Sequence, residues 1–206
     1  MNEKQKENLN KLKTLLGWMN DLDACLYQVQ AQYVVALALF NYIETLGMFL
    51  IGYSRKEGGS GSEPTSCRDR FESFFSYLGP QYKNLIDNGK SLNCDVYDEL
   101  RCGLTHELVP KKYNFAICHV GTNSDWYEKN NEEKEEIKKE KIGNLPCGVI
   151  FDTQNKRWLI FVHKLLYDFD IAKNKLVNEI EKGDEKLIKN FDKIAKVINL
   201  ENFKIC

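Results

Sequence analysis

Apolar residues recur along the first quarter of the chain at the spacing of helices. Between residues 9 and 29 they stand three or four positions apart, which predicts an amphipathic helix. From Val34 to Ile51 the chain is apolar almost all round, as expected of the central helix of a bundle. Gly52 and the Gly/Ser stretch at residues 58–62 end this helix and predict a surface loop.

More helices are predicted before the pattern changes. Ser66 stands at an N-cap position with Asp69 three residues later, so a helix that carries three phenylalanines should begin there. A short helix is expected around residues 82–86. Another is expected over residues 96–108, and Pro110 must end it because the residue before a proline disfavours helical geometry.

Beyond Pro110 the spacing becomes that of strands. Residues 115–120 predict one strand, and residues 149–162 contain two apolar runs around a turn sequence, which predicts a hairpin. Residues 122–146 are rich in Glu and Lys, which favours a solvated helix or a mobile insertion that the fold does not need. Two amphipathic helices should follow the hairpin.

The order of these elements predicts a mainly α fold in two parts. Residues 1–113 should form a helical bundle. Residues 114–206 should add a small antiparallel sheet, the charged insertion and two C-terminal helices, all packed on the bundle. A chain of 206 residues with 43% hydrophobic and 29% charged residues can bury such a core.

Composition and charge narrow the setting in which the protein works. The net charge of -1 argues against broad electrostatic capture of nucleic acid, so any contact with RNA must use a local basic patch or shape. The seven cysteines are scattered without a C-x-x-C pair, which favours free thiols over disulfides or a zinc site. Since the first residues lack an apolar signal region, and Asn41 and Glu44 interrupt the apolar stretch, we expect a cytoplasmic protein without a membrane span.

Arg101 and His106 are the strongest candidates for chemistry. A histidine titrates near working pH, so it can take the proton of an RNA 2′-hydroxyl or protonate the leaving 5′-oxygen. An arginine can hold the phosphate oxygens in a fork. On an ideal α-helix, however, five positions leave the two side chains about 140° apart. The long arginine stem, or a distortion at Gly103, would have to bring them together.

The same residue types also allow a structural interpretation. Arg101 would then be an exposed cation, and His106 would be stabilised by the C-terminal end of the helix dipole. A second match, Arg157 and His163, has similar spacing in a predicted strand, and we interpret it as a coincidence. Spacing alone leaves both alternatives open.

The context of the pair resembles a known family. Residues 97–110 are similar to the motif helix of the HEPN superfamily, whose signature is an arginine and a histidine separated by four to six residues. Residues 40–47 and 67–75 resemble HEPN helices in order and character, and the resemblance covers roughly residues 20–113. It implies an all-α bundle that often dimerises around the motif helix. Many HEPN proteins are metal-independent endoribonucleases in toxin–antitoxin, CRISPR-associated or phage-defence systems, with Arg101 and His106 matching the two catalytic positions.

One residue departs from the pattern of active relatives. The position after the motif arginine is commonly Asn, Asp or His in those proteins, and here it is Cys102. Other HEPN domains serve only as binding or dimerisation modules, so a non-catalytic module that binds RNA or protein is the alternative function. Cys102, Thr105 and Glu44 are the expected supporting residues. Glu44 would orient Arg101; alternatively it is exposed, or pairs with Arg68 or Arg70 in a purely structural role.

The expected partners follow from the same residues. Lys111, Lys112 and Tyr113, just after the motif helix, could contact phosphate and stack on a base of RNA, although such residues are more often a solvated turn. A single histidine cannot be both base and acid, so a homodimer that pairs two copies of His106 is expected. An antitoxin or another protein partner fits the resemblance. No metal or cofactor is expected, because no clustered ligands or Gly-rich phosphate loop occur in the sequence.

Overall fold

The computed structural model describes residues 1–17, 19, 21–29, 31–52, 66–89, 94–107, 114–118 and 128–197, with the backbone alone for residues 105–107, 114 and 115. In chain order the elements are α1 (Glu3–Gly17), α2 (Asp21–Tyr27), α3 (Gln32–Ile51), α4 (Cys67–Tyr77), α5 (Pro80–Gly89), the motif helix (Tyr97–Glu107), β1 (Asn114–Ile117), α6 (Asn131–Ile142), β2 (Val149–Asp152), β3 (Arg157–Ile160), α7 (Val162–Glu181) and α8 (Glu185–Val197). The predicted mainly helical fold with a small sheet and C-terminal helices is confirmed.

Helix α3 is the central helix, as its all-round apolar sequence predicts. It packs against α4, α7 and α8, so the C-terminal helices share one core with the N-terminal bundle. Within the described ranges, Gln32–Ile51 is also the one helix that is long and apolar enough to cross a membrane, and half of its apolar window is buried inside the fold. One aromatic pair joins α3 to each neighbour: Phe40 to Phe71, Tyr42 to Phe169, and Phe49 to Phe191.

The N-terminal helix is two helices instead of the one that the spacing predicts. Helix α1 ends at Gly17, and α2 begins at Asp21. Glycine costs a helix about 1 kcal/mol relative to alanine, and Asp21 places an acidic side chain in the first turn of a new helix. Apolar residues continue at helical spacing from α1 into α2, so the spacing alone does not show that the helix ends between them.

The helix predicted to begin at Ser66 is confirmed together with its cap. The Ser66 hydroxyl accepts a hydrogen bond from the Asp69 backbone N–H at 3.0 Å, and the Asp69 carboxylate accepts one from the Ser66 N–H at 3.1 Å. This capping box fixes the first turn of α4.

The predicted small sheet and its hairpin are present, but the sheet is mixed where the sequence predicts an antiparallel one. Strands β2 and β3 pair antiparallel, whereas β1 pairs with the other edge of β3 in parallel, giving the order β1-β3-β2. A parallel neighbour needs a long connection, and the chain between β1 and β3 provides it, with α6 inside. The strand predicted over residues 115–120 is described as far as Cys118.

The charged insertion contains α6, a mainly exposed helix. It nevertheless packs on α7, and Ile142 at its end is buried. The Lys138 ammonium lies 2.6 Å from the Asp23 carboxylate of α2, and both side chains are mostly buried. Burial raises the pKa of Asp23, and the bond to Lys138 partly offsets that shift. The segment therefore makes specific contacts with the rest of the fold.

The motif helix is wound as a π-helix from Tyr97 to Glu107. Its backbone N–H groups bond five residues back along the chain, where an α-helix would bond four back. This winding differs from the ideal α-helix expected from the sequence. Most π-helical segments are single turns and are frequent at functional sites, and this one is longer, at 11 residues. Leu100 and Leu104 are fully buried, so this face of the helix packs against the core.

Candidate functional site

Glu44 and Arg101 form the centre of the candidate site. Glu44 lies in the fourth turn of α3, with its residue surface only 9% exposed. Its Oε2 lies 2.6 Å from Nε of Arg101 on the motif helix, and its Oε1 lies 3.3 Å from Nη2 of Arg70 on α4. The predicted contact between Glu44 and Arg101 is therefore present. One carboxylate links three helices.

Gly47 explains why Arg70 can reach this carboxylate. It lies on α3 one turn after Glu44, where α3 and α4 cross. A Cβ atom at position 47 would overlap the backbone carbonyl of Arg70, so glycine is required for this close approach. The crossing places α4 beside Glu44 and directs the Arg70 guanidinium to it. The Nη2 of Arg70 also donates a hydrogen bond to the Cys67 sulfur, at 2.9 Å.

The start of the motif helix is tied to α4 by Arg68. The Asp95 side chain caps the helix by accepting a hydrogen bond from the Asp98 backbone N–H at 2.9 Å. Arg68 lies 2.6 Å from the Asp95 carboxylate and 2.9 Å from that of Asp98. Arg68 therefore fixes the start of the motif helix. Of the two arginines expected as alternative partners of Glu44, Arg70 makes the contact.

Tyr97 lies between two guanidinium groups. Its ring centre is 5.0 Å from Cζ of Arg68 and 5.9 Å from Cζ of Arg101, distances at which a cation is attracted to the ring face. Burial raises the pKa of Tyr97, and a hydrogen bond with Cys102 raises it further. Cys102, the departure from the HEPN pattern, thus contacts the same aromatic residue that lies beside Arg101.

The second cysteine at the site lies on α4. Burial raises the pKa of the Cys67 thiol, and its hydrogen bond with Glu44 adds to that shift, while the charges of Arg70 and Arg101 oppose it. Cys67 is therefore held in the thiol form at neutral pH, as a neutral neighbour of Glu44.

The π-winding changes the relation between positions 101 and 106. A helix whose hydrogen bonds join residues five apart has about 4.4 residues per turn, so five positions advance about 1.1 turns. Backbone positions 101 and 106 therefore lie on one side of the motif helix, roughly 50° apart, in place of the 140° of an α-helix. His106 and Thr105 lie in this helix with their backbone alone described. Lys111, Lys112 and Tyr113 lie outside the described residues.

The residues of the other arginine–histidine pair lie in two different elements. Arg157 begins β3 and pairs with Asp152 at the exposed end of the hairpin, at 3.4 Å. His163 is 1% exposed and belongs to α7, where its ring lies edge-on to Tyr27 with the centroids 4.8 Å apart. The prediction that both lie in one strand is wrong, because the helical period of α7 already begins at Val162.

Several residues of the site escaped the sequence analysis. Gly47 was visible as an isolated glycine in an apolar helix, a signal of close packing. For Tyr97 the sequence offers no indication of a role beyond its position four residues before Arg101. The buried carboxylate of Glu99, which accepts a hydrogen bond from Trp158 at 2.9 Å, looked like an ordinary surface residue of the motif helix. In the part of the chain that the structure describes, no group of three or more His, Cys, Asp or Glu side chains could hold a metal ion.

Comparisons with known proteins add no family to this geometry. No protein-family model, no curated protein and no solved structure matches the chain.

Proposed function

We propose that this protein is a metal-independent endoribonuclease of the HEPN type, with a composite site at a homodimer interface. The observation that carries the proposal is the contact between Glu44 and Arg101, at 2.6 Å. A guanidinium that must stabilise charge in a transition state works best when its position is fixed beforehand. Glu44 from α3 and the ring of Tyr97 both hold Arg101 in place.

In the proposed reaction Arg101 keeps its Nε at Glu44 and places its terminal nitrogens against the non-bridging phosphate oxygens of RNA. The RNA 2′-hydroxyl attacks phosphorus, and one His106 imidazole takes its proton. The bond from phosphorus to the 5′-oxygen breaks, and a second, protonated His106 gives that oxygen a proton. The products are a 2′,3′-cyclic phosphate and a 5′-hydroxyl end.

The second imidazole comes from a second copy of the chain in this proposal. A two-fold axis beside the motif helix brings both copies of His106 to one phosphate, since an isologous interface pairs each patch with itself. The π-winding supports the arrangement, because positions 101 and 106 then lie on one side of the helix. Lys111, Lys112 and Tyr113 would extend the RNA contact beyond the helix.

The direct test is cleavage of single-stranded RNA by purified protein in EDTA, with the ends identified by mass spectrometry. We expect 2′,3′-cyclic phosphate ends, and loss of cleavage in the Arg101→Ala and His106→Ala proteins. Arg101→Lys should also lose most activity, because an ammonium keeps the charge but cannot form the guanidinium fork.

Arg157→Ala is the matched control for removal of an arginine, since Arg157 is a half-exposed residue of the hairpin. His163→Ala does not serve as a control for His106, because its imidazole is buried and its loss would leave a cavity. Cleavage that persists in the His106→Ala protein would contradict the proposal. An inactive wild-type dimer that still binds RNA or a protein would favour the binding module.

A further inference from the structure

The resemblance to HEPN proteins leaves the sheet without a role, yet a buried hydrogen bond joins the sheet to the motif helix. Glu99 lies two residues before Arg101 and is 3% exposed, and Trp158 of the central strand β3 is 1% exposed. The Trp158 Nε1 donates a hydrogen bond to Oε2 of Glu99 at 2.9 Å. The two residues are far apart in sequence and meet only in the folded chain.

The Glu99 carboxylate has a donor on each oxygen. Its Oε1 accepts a hydrogen bond from the backbone N–H of Asp95 at 3.1 Å, which is the residue that caps the motif helix. A buried carboxylate is costly unless such donors are supplied. Glu99 therefore connects the helix cap on one side to the sheet on the other.

The end of the sheet before β2 is bonded to α5 and packs on α7. Gly148, which precedes β2, donates its backbone N–H to the Tyr82 hydroxyl at 2.7 Å, and that hydroxyl donates to Asp168 of α7 at 2.6 Å. A Cβ at Gly148 would overlap the backbone of Leu165, so this end of the sheet lies directly on α7. Trp158 thus belongs to a sheet that contacts α5 and α7.

We propose that the sheet is the positioning element of the motif helix, and that Trp158 acts through Glu99 as a positioning residue that keeps Arg101 at Glu44. A π-wound helix is less regular than an α-helix, so its winding depends on tertiary contacts. Trp158 and Glu99 supply such a contact within one helical turn of Arg101. The expected effect on catalysis rests on the proposed function. The expected effect on the conformation of the motif helix rests on the structure alone.

The test uses the full-length protein with two matched variants. Trp158→Phe keeps an aromatic ring and removes the N–H donor. Phe151→Leu is the control, because the Phe151 ring packs edge-on to Trp158, with centroids 4.9 Å apart, and has no hydrogen-bond donor to lose. A third variant combines Trp158→Phe with Glu99→Gln. The second substitution replaces the buried carboxylate, which has lost its Trp158 donor, by a neutral amide.

The first readout is hydrogen–deuterium exchange, which does not require activity. Peptides covering residues 97–107 should exchange about tenfold faster in Trp158→Phe, while peptides of α7 and α8 change by less than about twofold. Phe151→Leu should leave the motif-helix peptides near the wild-type rate, and Glu99→Gln should restore part of their protection. Unchanged exchange in Trp158→Phe, or equal loosening by Phe151→Leu, would overturn the proposal.

The second readout is the kinetics of RNA cleavage. Misplacement of Arg101 should lower kcat about tenfold and change KM by less than about threefold, because the guanidinium acts mainly in the transition state. Recovery of kcat with Glu99→Gln would separate positioning from a general loss of fold. If the wild-type protein does not cleave RNA, the proposed function fails, and the exchange measurement still decides the role of the sheet.

Discussion

Removal of the Glu44 carboxylate should destabilise the fold substantially. In Glu44→Ala, Arg101 and Arg70 lose a shared ionic partner, and their side chains are only 13% and 14% exposed. Removing one partner of a buried pair costs about 3–5 kcal/mol. We expect about 3 kcal/mol, the lower end of that range, because some surface of both arginines reaches solvent and Arg70 keeps its contact with Cys67.

The assay is urea unfolding followed by circular dichroism, with thermal melting as a second measure. For a chain of this size 3 kcal/mol corresponds to a melting temperature lower by about 6–12 °C. Thr45→Ala is the matched control, because Thr45 is the next residue of the same helix and is exposed. The control should change the free energy of unfolding by no more than about 0.5 kcal/mol.

A double-mutant cycle locates the effect. If the cost of Glu44→Ala comes from its arginine partners, adding Arg101→Ala should cost less than it does in the wild-type protein, with a coupling energy of about 1–3 kcal/mol. A Glu44→Ala protein within about 0.5 kcal/mol of wild type would refute the buried ionic cluster. Additive effects of the two substitutions would refute the direct contact.

Two further substitutions test the packing around the site and the support of the sheet. Gly47→Ala should destabilise by about 1–3 kcal/mol in urea unfolding, because its Cβ overlaps the Arg70 carbonyl. Gly17→Ala, with open space around the new Cβ, should be neutral or stabilise by up to about 1 kcal/mol. Burial, together with the charge of Asp168, raises the pKa of the Tyr82 hydroxyl well above 10.0. Above pH 10 this tyrosine therefore ionises in the unfolded chain before it ionises in the folded protein. The stability that Tyr82 contributes is present below pH 10 and is lost as the pH rises. Tyr82→Phe should therefore be less stable than wild type at pH 7 and should flatten the alkaline decline by up to about 1.4 kcal/mol per pH unit, and equal slopes for the two proteins would contradict this.

The helices could be predicted because their apolar spacing and caps are local properties. Ser66 and Asp69 predict the start of α4, and the all-round apolar sequence of α3 predicts that this helix is central. The break after Gly17 and the π-winding of the motif helix were not predictable in the same way. Both depend on which backbone groups bond to each other, and the side-chain pattern records only which face is buried.

The site was predictable where burial of a charge demanded a partner. Glu44 stands in the most apolar helix, so an arginine partner was one of the expected outcomes beside exposure to solvent, and Arg101 and Arg70 are its partners. The contact between Glu99 and Trp158 joins residues 59 positions apart, and it depends on how the mixed sheet packs against the motif helix. Nothing in the local sequence specifies that packing.

Mixing of subunits tests the composite site most directly. Wild-type protein is exchanged with a ninefold excess of His106→Ala protein, and RNA cleavage is measured per wild-type chain. If each cleavage needs His106 from both copies of a dimer, about nine in ten wild-type chains acquire an inactive partner, and activity per wild-type chain falls about tenfold. Activity per wild-type chain that stays constant on mixing would contradict a site built from two copies.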